Sequence, residues 1–246
     1  MNPPTAMRRI QNQGKHRMGR KTVEESEQTR IKLMEAGTRM FAKYGFAYST
    51  LDDIARCAGL SRGAVYWHFK GKGELVRSIM DAAVLPLEGF FVADTDPAKG
   101  FEHFAQALSD TLTVQHHRDF CSILLKDGQI GAPECPVVIR WRVARQNLRA
   151  QLTLMLVARR QSAATGAAGQ LDEVAHLMAL SITGLIIESL HSPQPVEALI
   201  GPYVQTLQAL VEGTQAGVGG TESAPINLRA VDNRDVMPTF LEKSDD

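Results

Sequence analysis

Between about residue 22 and residue 212, apolar residues recur every three or four positions and nowhere alternate over a strand-length run. The chain is therefore predicted all-α, with about nine helices. A capping box of Thr22 and Glu25 opens the first, whose apolar side holds Ile31, Met34, Phe41 and Ala42, and Gly45 ends it. Thr50 and Asp53 cap a second helix with Leu51, Ile54, Ala55 and Ala58 on one face, and Gly59 supplies a tight turn. Ser61 then caps a third, short helix over Arg62 to His68, with Val65 and Phe69 turned to the core. The fourth is expected from Lys72 to about Val92, seated through Leu75, Ile79, Ala82 and Ala83. Asp96-Pro97 starts a helix carrying Phe101, Phe104, Ala105 and Leu108. Further helices are predicted over roughly 118–129, 136–161 and 170–190, and from Pro195 to about Glu212 with a kink at Gly201-Pro202. Residues 1–21 and 214–246 lack periodicity and are expected to hold little fixed structure.

Two short helices joined at Gly59 read as a helix-turn-helix over residues 50–69. On the second helix Gly63 and Ala64 let the backbone approach a groove wall, while Arg62, Tyr66 and Trp67 face away from the core. A guanidinium at the helix start can fork onto guanine O6 and N7, and Tyr66, His68, Lys70 and Lys72 can donate to phosphates.

The run from Arg30 to Leu75, with FAKYGF and then STLDDIARCAGLSRGAVYWHFKGKGEL, resembles the DNA-binding domain of the tetracycline-repressor (TetR) family. Its YWHFK-x-K signature and preceding RGA look most like the acridine-resistance repressor (AcrR) type, which controls multidrug efflux pumps. The resemblance covers about 60 residues and weakens beyond Ala83. By it, Thr50, Ser61, Arg62, Gly63, Tyr66, His68 and Lys72 fall on positions used for DNA contact, and the last two helices on a homodimer interface. Gly71 and Gly73 depart from the family pattern, which implies a looser start to the fourth helix.

Charge sharpens this division. The chain is neutral overall, yet up to Ser78 it holds 15 Lys and Arg against 7 Asp and Glu, and beyond it 12 against 20. A basic first third with an acidic remainder suits a DNA-binding head on a body that avoids DNA. The expected organisation is a basic arm over 1–21, which either reaches phosphates or the minor groove through Arg20 and Lys21 or is a solvated tail, a helix-turn-helix domain over 22–83, a larger ligand-binding and dimerisation domain over 84–213, and a tail over 214–246.

Three cysteines without a CxxC pair suit a reducing cytoplasm and no structural zinc. The first thirty residues lack an apolar core, so no signal peptide is predicted. Val174 to Ile187, interrupted by His176, is read as too short to span a bilayer, and no membrane partner is expected. No enzymatic motif is found, and neither metal nor cofactor is expected.

The helices after 170 carry apolar residues on more than one face, including Leu177, Leu185, Ile186, Leu199, Tyr203 and Leu210. Such helices bury a second side, and a twofold partner is the economical cover. A pocket for an apolar drug-like inducer is expected from Phe104, Leu108, Phe120, Leu124, Trp141, Leu148, Met178 and Ile182. Arg145 and Glu188, charges on otherwise apolar stripes, are its candidate polar contacts. Together these features point to a ligand-responsive repressor on a palindromic operator; the alternative is a body that answers to a protein partner, or to redox state through Cys135.

Overall fold

The computed structural model describes residues 5–92, 96–128, 132–161, 168–192 and 195–216, with side chains described over 23–92, 96–128, 132–160, 171–192 and 195–212. Nine α-helices and no strand occur among them. The chain divides into two compact units, Met1–Gln208 and Ala209–Asp246; of the second only the end of the last helix is described. The functional surfaces belong to the first.

Helix α1 (Thr5–Tyr44) begins well before the predicted capping box, so Thr22 lies inside a helix and the stretch expected to be structureless is helical from Thr5. Gly14 and Gly19 are the weak helix formers there, and once a helix is nucleated, extending it costs little. Its core face is Leu33, Ala36, Phe41 and Ala42, whereas Ile31 is turned outward. Gly45 and Gly59, at φ 82° and 66°, close α1 and α2 (Leu51–Cys57) in a conformation that costs other residues a Cβ clash. Both predicted caps form. Asp53 N donates to Thr50 Oγ1 at 3.1 Å and opens α2; Ala64 N donates to Ser61 Oγ at 3.2 Å and opens α3 (Arg62–His68). Leu51, Ile54, Ala55, Val65 and Phe69 are buried against α1, as the periodicity requires.

Helix α4 (Lys72–Ala82) is half its predicted length. The helix leaves off at Ala83, already extended at φ −85°, ψ 129°, and Pro86 bars any continuation, because a proline pushes the residue before it out of the helical region: Leu85 sits at φ −86°, ψ 142°, and a short 3-10 turn, Pro86–Glu88, follows. After a second such turn at Pro97–Lys99, where Ala98 N donates to Asp96 Oδ1 at 3.0 Å, come α5 (Gly100–Thr113) and α6 (Gln115–Asp127). The remaining helices are α7 (Pro136–Gln161), α8 (Ala168–His191) and α9 (Glu197–Ala216), the last with Pro202 inside it. The predicted SAATGAAG connection lies mostly outside the described residues, as does nearly all of the tail.

α7 lies along α8, and α5 and α6 close a core of Phe101, Phe104, Leu108, Ile123, Leu124, Leu152 and Met155. Leu171–His191 is long and apolar enough to cross a membrane by length and composition, which corrects the shorter window read from sequence. In the fold its Ala175, Met178, Ala179, Ile182 and Ile186 are buried, while Leu177, Leu180 and Ile187 are exposed.

Candidate nucleic-acid interface

The α2–α3 pair presents α3 outward. Trp67 is 74% exposed and Tyr66 48%, while a Cβ added at Gly63 would meet only Ser61 Oγ, at 3.9 Å. Arg62 is exposed, with its guanidinium 5.5 Å from the Tyr66 ring and its Nε 3.1 Å from Asp52 Oδ1. The Tyr66 hydroxyl and the Asp52 charge both hold it in its cationic form. An arginine held by two neighbours at a helix N-terminus is pre-oriented, which lowers the entropy lost on gripping a base edge. Ser61 Oγ accepts the cap bond, so its O–H remains free to donate to a phosphate. Thr50 differs: its hydroxyl also donates to Asp53 Oδ2 at 2.6 Å, and both roles are spent inside the cap. His68 packs edge-on to Trp67 at 4.8 Å, and Lys70, exposed, gives its backbone N–H to Glu74 Oε2 at 2.7 Å. That bond steadies the start of α4 despite Gly71 and Gly73.

Lys72 departs most sharply from its expected role. Its ammonium donates to Phe46 O at 2.6 Å, Ser49 O at 3.0 Å and Ala47 O at 3.2 Å, and lies 4.5 Å from the Phe46 ring. An ammonium has three donors, and all three hold the α1–α2 loop. Lys72 is thus a loop clamp, not a free phosphate donor.

Two joints fasten this head to the helices behind it, and sequence reasoning missed both. At the first, Ser122 and Lys126 of α6 donate to Ala42 O, and Phe46 N donates to Asp127 Oδ2 at 3.1 Å. At the second, Arg140 of α7 caps the end of α4: Nε donates to Met80 O at 3.2 Å and Nη2 to Ala83 O at 2.7 Å. The same guanidinium pairs with Glu88 (Nη1 to Oε2, 2.9 Å) and lies 5.3 Å from the Phe120 ring. Glu88 further accepts from Leu85 N at 3.1 Å and Asn147 Nδ2 at 3.0 Å. With side chains only 11% and 5% exposed, Arg140 and Glu88 form a buried pair whose hydrogen-bonding groups are met on every side. The signal was present: Val137, Arg140 and Ala144 share a helical face, so Arg140 was the charge on the buried stripe. Arg145 stands about 100° around from Ala144 and is exposed, its guanidinium 5.7 Å from the Trp141 ring; Glu188 is exposed too. Both charges therefore stand on the solvent side of their helices, at the edge of the apolar stripes.

The predicted ligand residues are only partly brought together. Leu124, Trp141, Arg145 and Leu148 line an apolar slot between α6, α7 and α8 that also meets Glu88 and Cys121 and holds about 30 Å³, room for one water. Phe104, Leu108, Met178 and Ile182 are plain core, and Phe120 packs under Arg140. Burial, with the Glu88 charge adding to it, pushes the Cys121 thiol up to about 12.

Comparison with known proteins agrees with this geometry. Residues 33–79, from mid-α1 into α4, match the bacterial regulatory proteins of the tetR family. Over 111 residues the chain is 37% identical to the uncharacterized HTH-type transcriptional regulator TtgW of Pseudomonas putida, a match covering 45% of this chain and 83% of that protein. The chain belongs to the TetR family. As a TetR-family protein it is a DNA-binding transcription regulator and not an enzyme. The HTH-type transcriptional regulator SrpR of Pseudomonas putida is 38% identical over the same length, and there the match spans about half of the relative, 52%. This TetR-family chain also shares its fold with NalD, the secondary repressor of the MexAB-OprM multidrug efflux pump in Pseudomonas aeruginosa (TM-score 0.61, 21% identity, 76% of this chain and 96% of that one).

Proposed function

We propose that the chain is a homodimeric repressor that holds a palindromic operator and lets go when a lipophilic small molecule enters the helices behind the head. The observation that carries the reading is the Arg140 cap on α4: the helix that follows the DNA-reading pair is gripped at its far end by α7, whose neighbours line the apolar slot. Opening that slot for a ligand displaces Glu88, and with it the guanidinium that fixes α4. A coupling of about 1–3 kcal/mol between the two states is enough to switch occupancy.

Dimerisation follows from two physical needs. One α3 reads too few bases, and Leu177, Leu180 and Ile187 stand in water along α8 until a second copy covers them. The likeness to NalD extends over most of both chains, which supports genes for a multidrug efflux pump as the controlled set, read from the cytoplasm.

The test is binding of the full chain to a labelled fragment from upstream of its own gene and its neighbours, with and without a panel of lipophilic drugs. Specific binding released by a drug is expected; binding that no drug disturbs would sink the ligand-responsive part. Within that assay Arg62→Ala is expected to relax base preference at one position of each half-site while leaving non-specific binding nearly unchanged. Equal loss on specific and random duplexes would remove Arg62 from base reading.

A further inference from the structure

The surface groove between α7 and α8 has a charge of one sign. It holds about 740 Å³, within the usual range for small-molecule sites, and among its walls are Arg142, Arg145, Gln146, Arg149 and His176, with no Asp or Glu. Two other open clefts are mixed. That between α4 and α7 includes Asp81 and Glu134 beside Arg77, and that between α1, α4 and α6 includes Glu35 and Asp119 beside Arg39. Arg149 is neutralised next to the groove by Asp172, whose carboxyl it holds below the usual carboxylate range. Arg142 and Arg145 pair with no carboxylate among the described residues, and Arg145 is stacked on Trp141.

The groove also has a back door. Trp141, Arg145 and Thr183 line both this groove and the apolar slot behind it, so the three side chains are the wall between a basic surface and an apolar interior. A basic outer site continuous with an apolar inner one suits an amphiphile whose acid end stays outside. A cation there would meet two unpaired guanidiniums, and a neutral compound would leave them unused.

We propose that the α7–α8 groove binds a lipophilic anion, its acid group on Arg142 and Arg145 and its apolar body against Trp141, passing into the slot when Trp141 and Arg145 part. The assignment gives a ligand class to the small-molecule response proposed above and rests on that reading only for its consequence at DNA. The acid-binding groups all stand on α7; Leu180 and Ile187, on the α8 wall, also belong to the stripe that a second copy is proposed to cover.

The probes are decanoate, decanol and decylammonium below their micellar concentrations, three charges on one tail. Binding to the full chain is followed by Trp141 emission in a Trp67→Phe background, since the chain has two tryptophans. Decanoate is expected to bind at least tenfold more tightly than decanol, with decylammonium weakest. In the double variant Arg142→Gln, Arg145→Gln that preference is expected to collapse to within twofold while decanol binding stays put, and Arg145→Lys is expected to keep most of it. Sedimentation of the double variant as the same oligomer separates lost ligand contacts from lost assembly. Equal or better binding of the alcohol or the ammonium, a preference that survives the double variant, or no binding of any probe would overturn the proposal. Decanoate is then added to the wild-type complex with the operator fragment. Binding to the groove without release of DNA would leave this site standing and count against the release mechanism instead.

Discussion

The reading helices α2 and α3 and the helices behind them are held together in different ways. In α2 and α3 the decisive polar bonds are local: Thr50 to Asp53, Ser61 to Ala64, Lys70 to Glu74, each three or four residues apart. Behind them the bonds cross long stretches of chain. Arg140 reaches back to Met80, Ala83 and Glu88; Arg118 donates across to Ser189 O at 3.0 Å; Phe91 N donates to Gln151 Oε1 at 2.7 Å. Helices capped by local bonds keep their own shape whatever their surroundings do, which a DNA-reading surface needs, even though Lys72 clamps the loop before them from 23 to 26 residues away. One closed by distant bonds shifts as a whole when any of them is broken, which suits the transmission of a ligand signal.

The heaviest loss is expected at the long-range joint. Arg140→Gln leaves Glu88 buried without its partner and uncaps α4, so chemical denaturation should show a loss of about 3–5 kcal/mol. Removing both charges in Arg140→Met, Glu88→Leu is expected to cost less than the single change. A single variant as stable as wild type would mean that the distant bonds do not hold this region.

Lys72→Met comes next. As a loop clamp it should lower stability by about 1–3 kcal/mol and weaken DNA binding through a loosened head, with the salt dependence of binding unaltered. Unchanged thermal stability with a salt slope reduced by about one would restore the phosphate role. Ser61→Ala tests the local side and should cost about 1 kcal/mol, the usual worth of such a cap, with Ser61→Gly costing less. A loss several times larger would show that α3 depends on more than its local cap.

The mildest test is chemical. Cys121, with its thiol pushed from an ordinary value near 9 to about 12, stays protonated and buried, so native alkylation should modify exposed Cys57 and spare Cys121 until the chain unfolds. The raised value favours the folded state fully below about pH 9 and is lost as pH climbs from there toward 12. Alkylation of Cys121 at neutral pH at the rate of Cys57 would show that this part of the core opens far more readily than its packing suggests.

Features governed by neighbours within four residues were legible in the chain alone. The caps at Thr50 and Ser61, the turn at Gly59, the burial of Val65 and Phe69 and the outward face of Arg62, Tyr66 and Trp67 are all set by helical period and local hydrogen bonding. That α4 cannot run on to Val92 is legible too, in Pro86, which keeps Leu85 extended. Which charges are spent and which are free was settled only when the helices packed. Lys72 has the same chemistry as any basic residue beside a DNA-reading helix until the α1–α2 loop folds over it, and Arg140 and Arg145 differ by little more than a turn of helix until α4 arrives on one side and water on the other. A charge's role depends on what lies within a few ångströms of it in space, and for Lys72 and Arg140 those groups are 23 to 60 positions away along the chain.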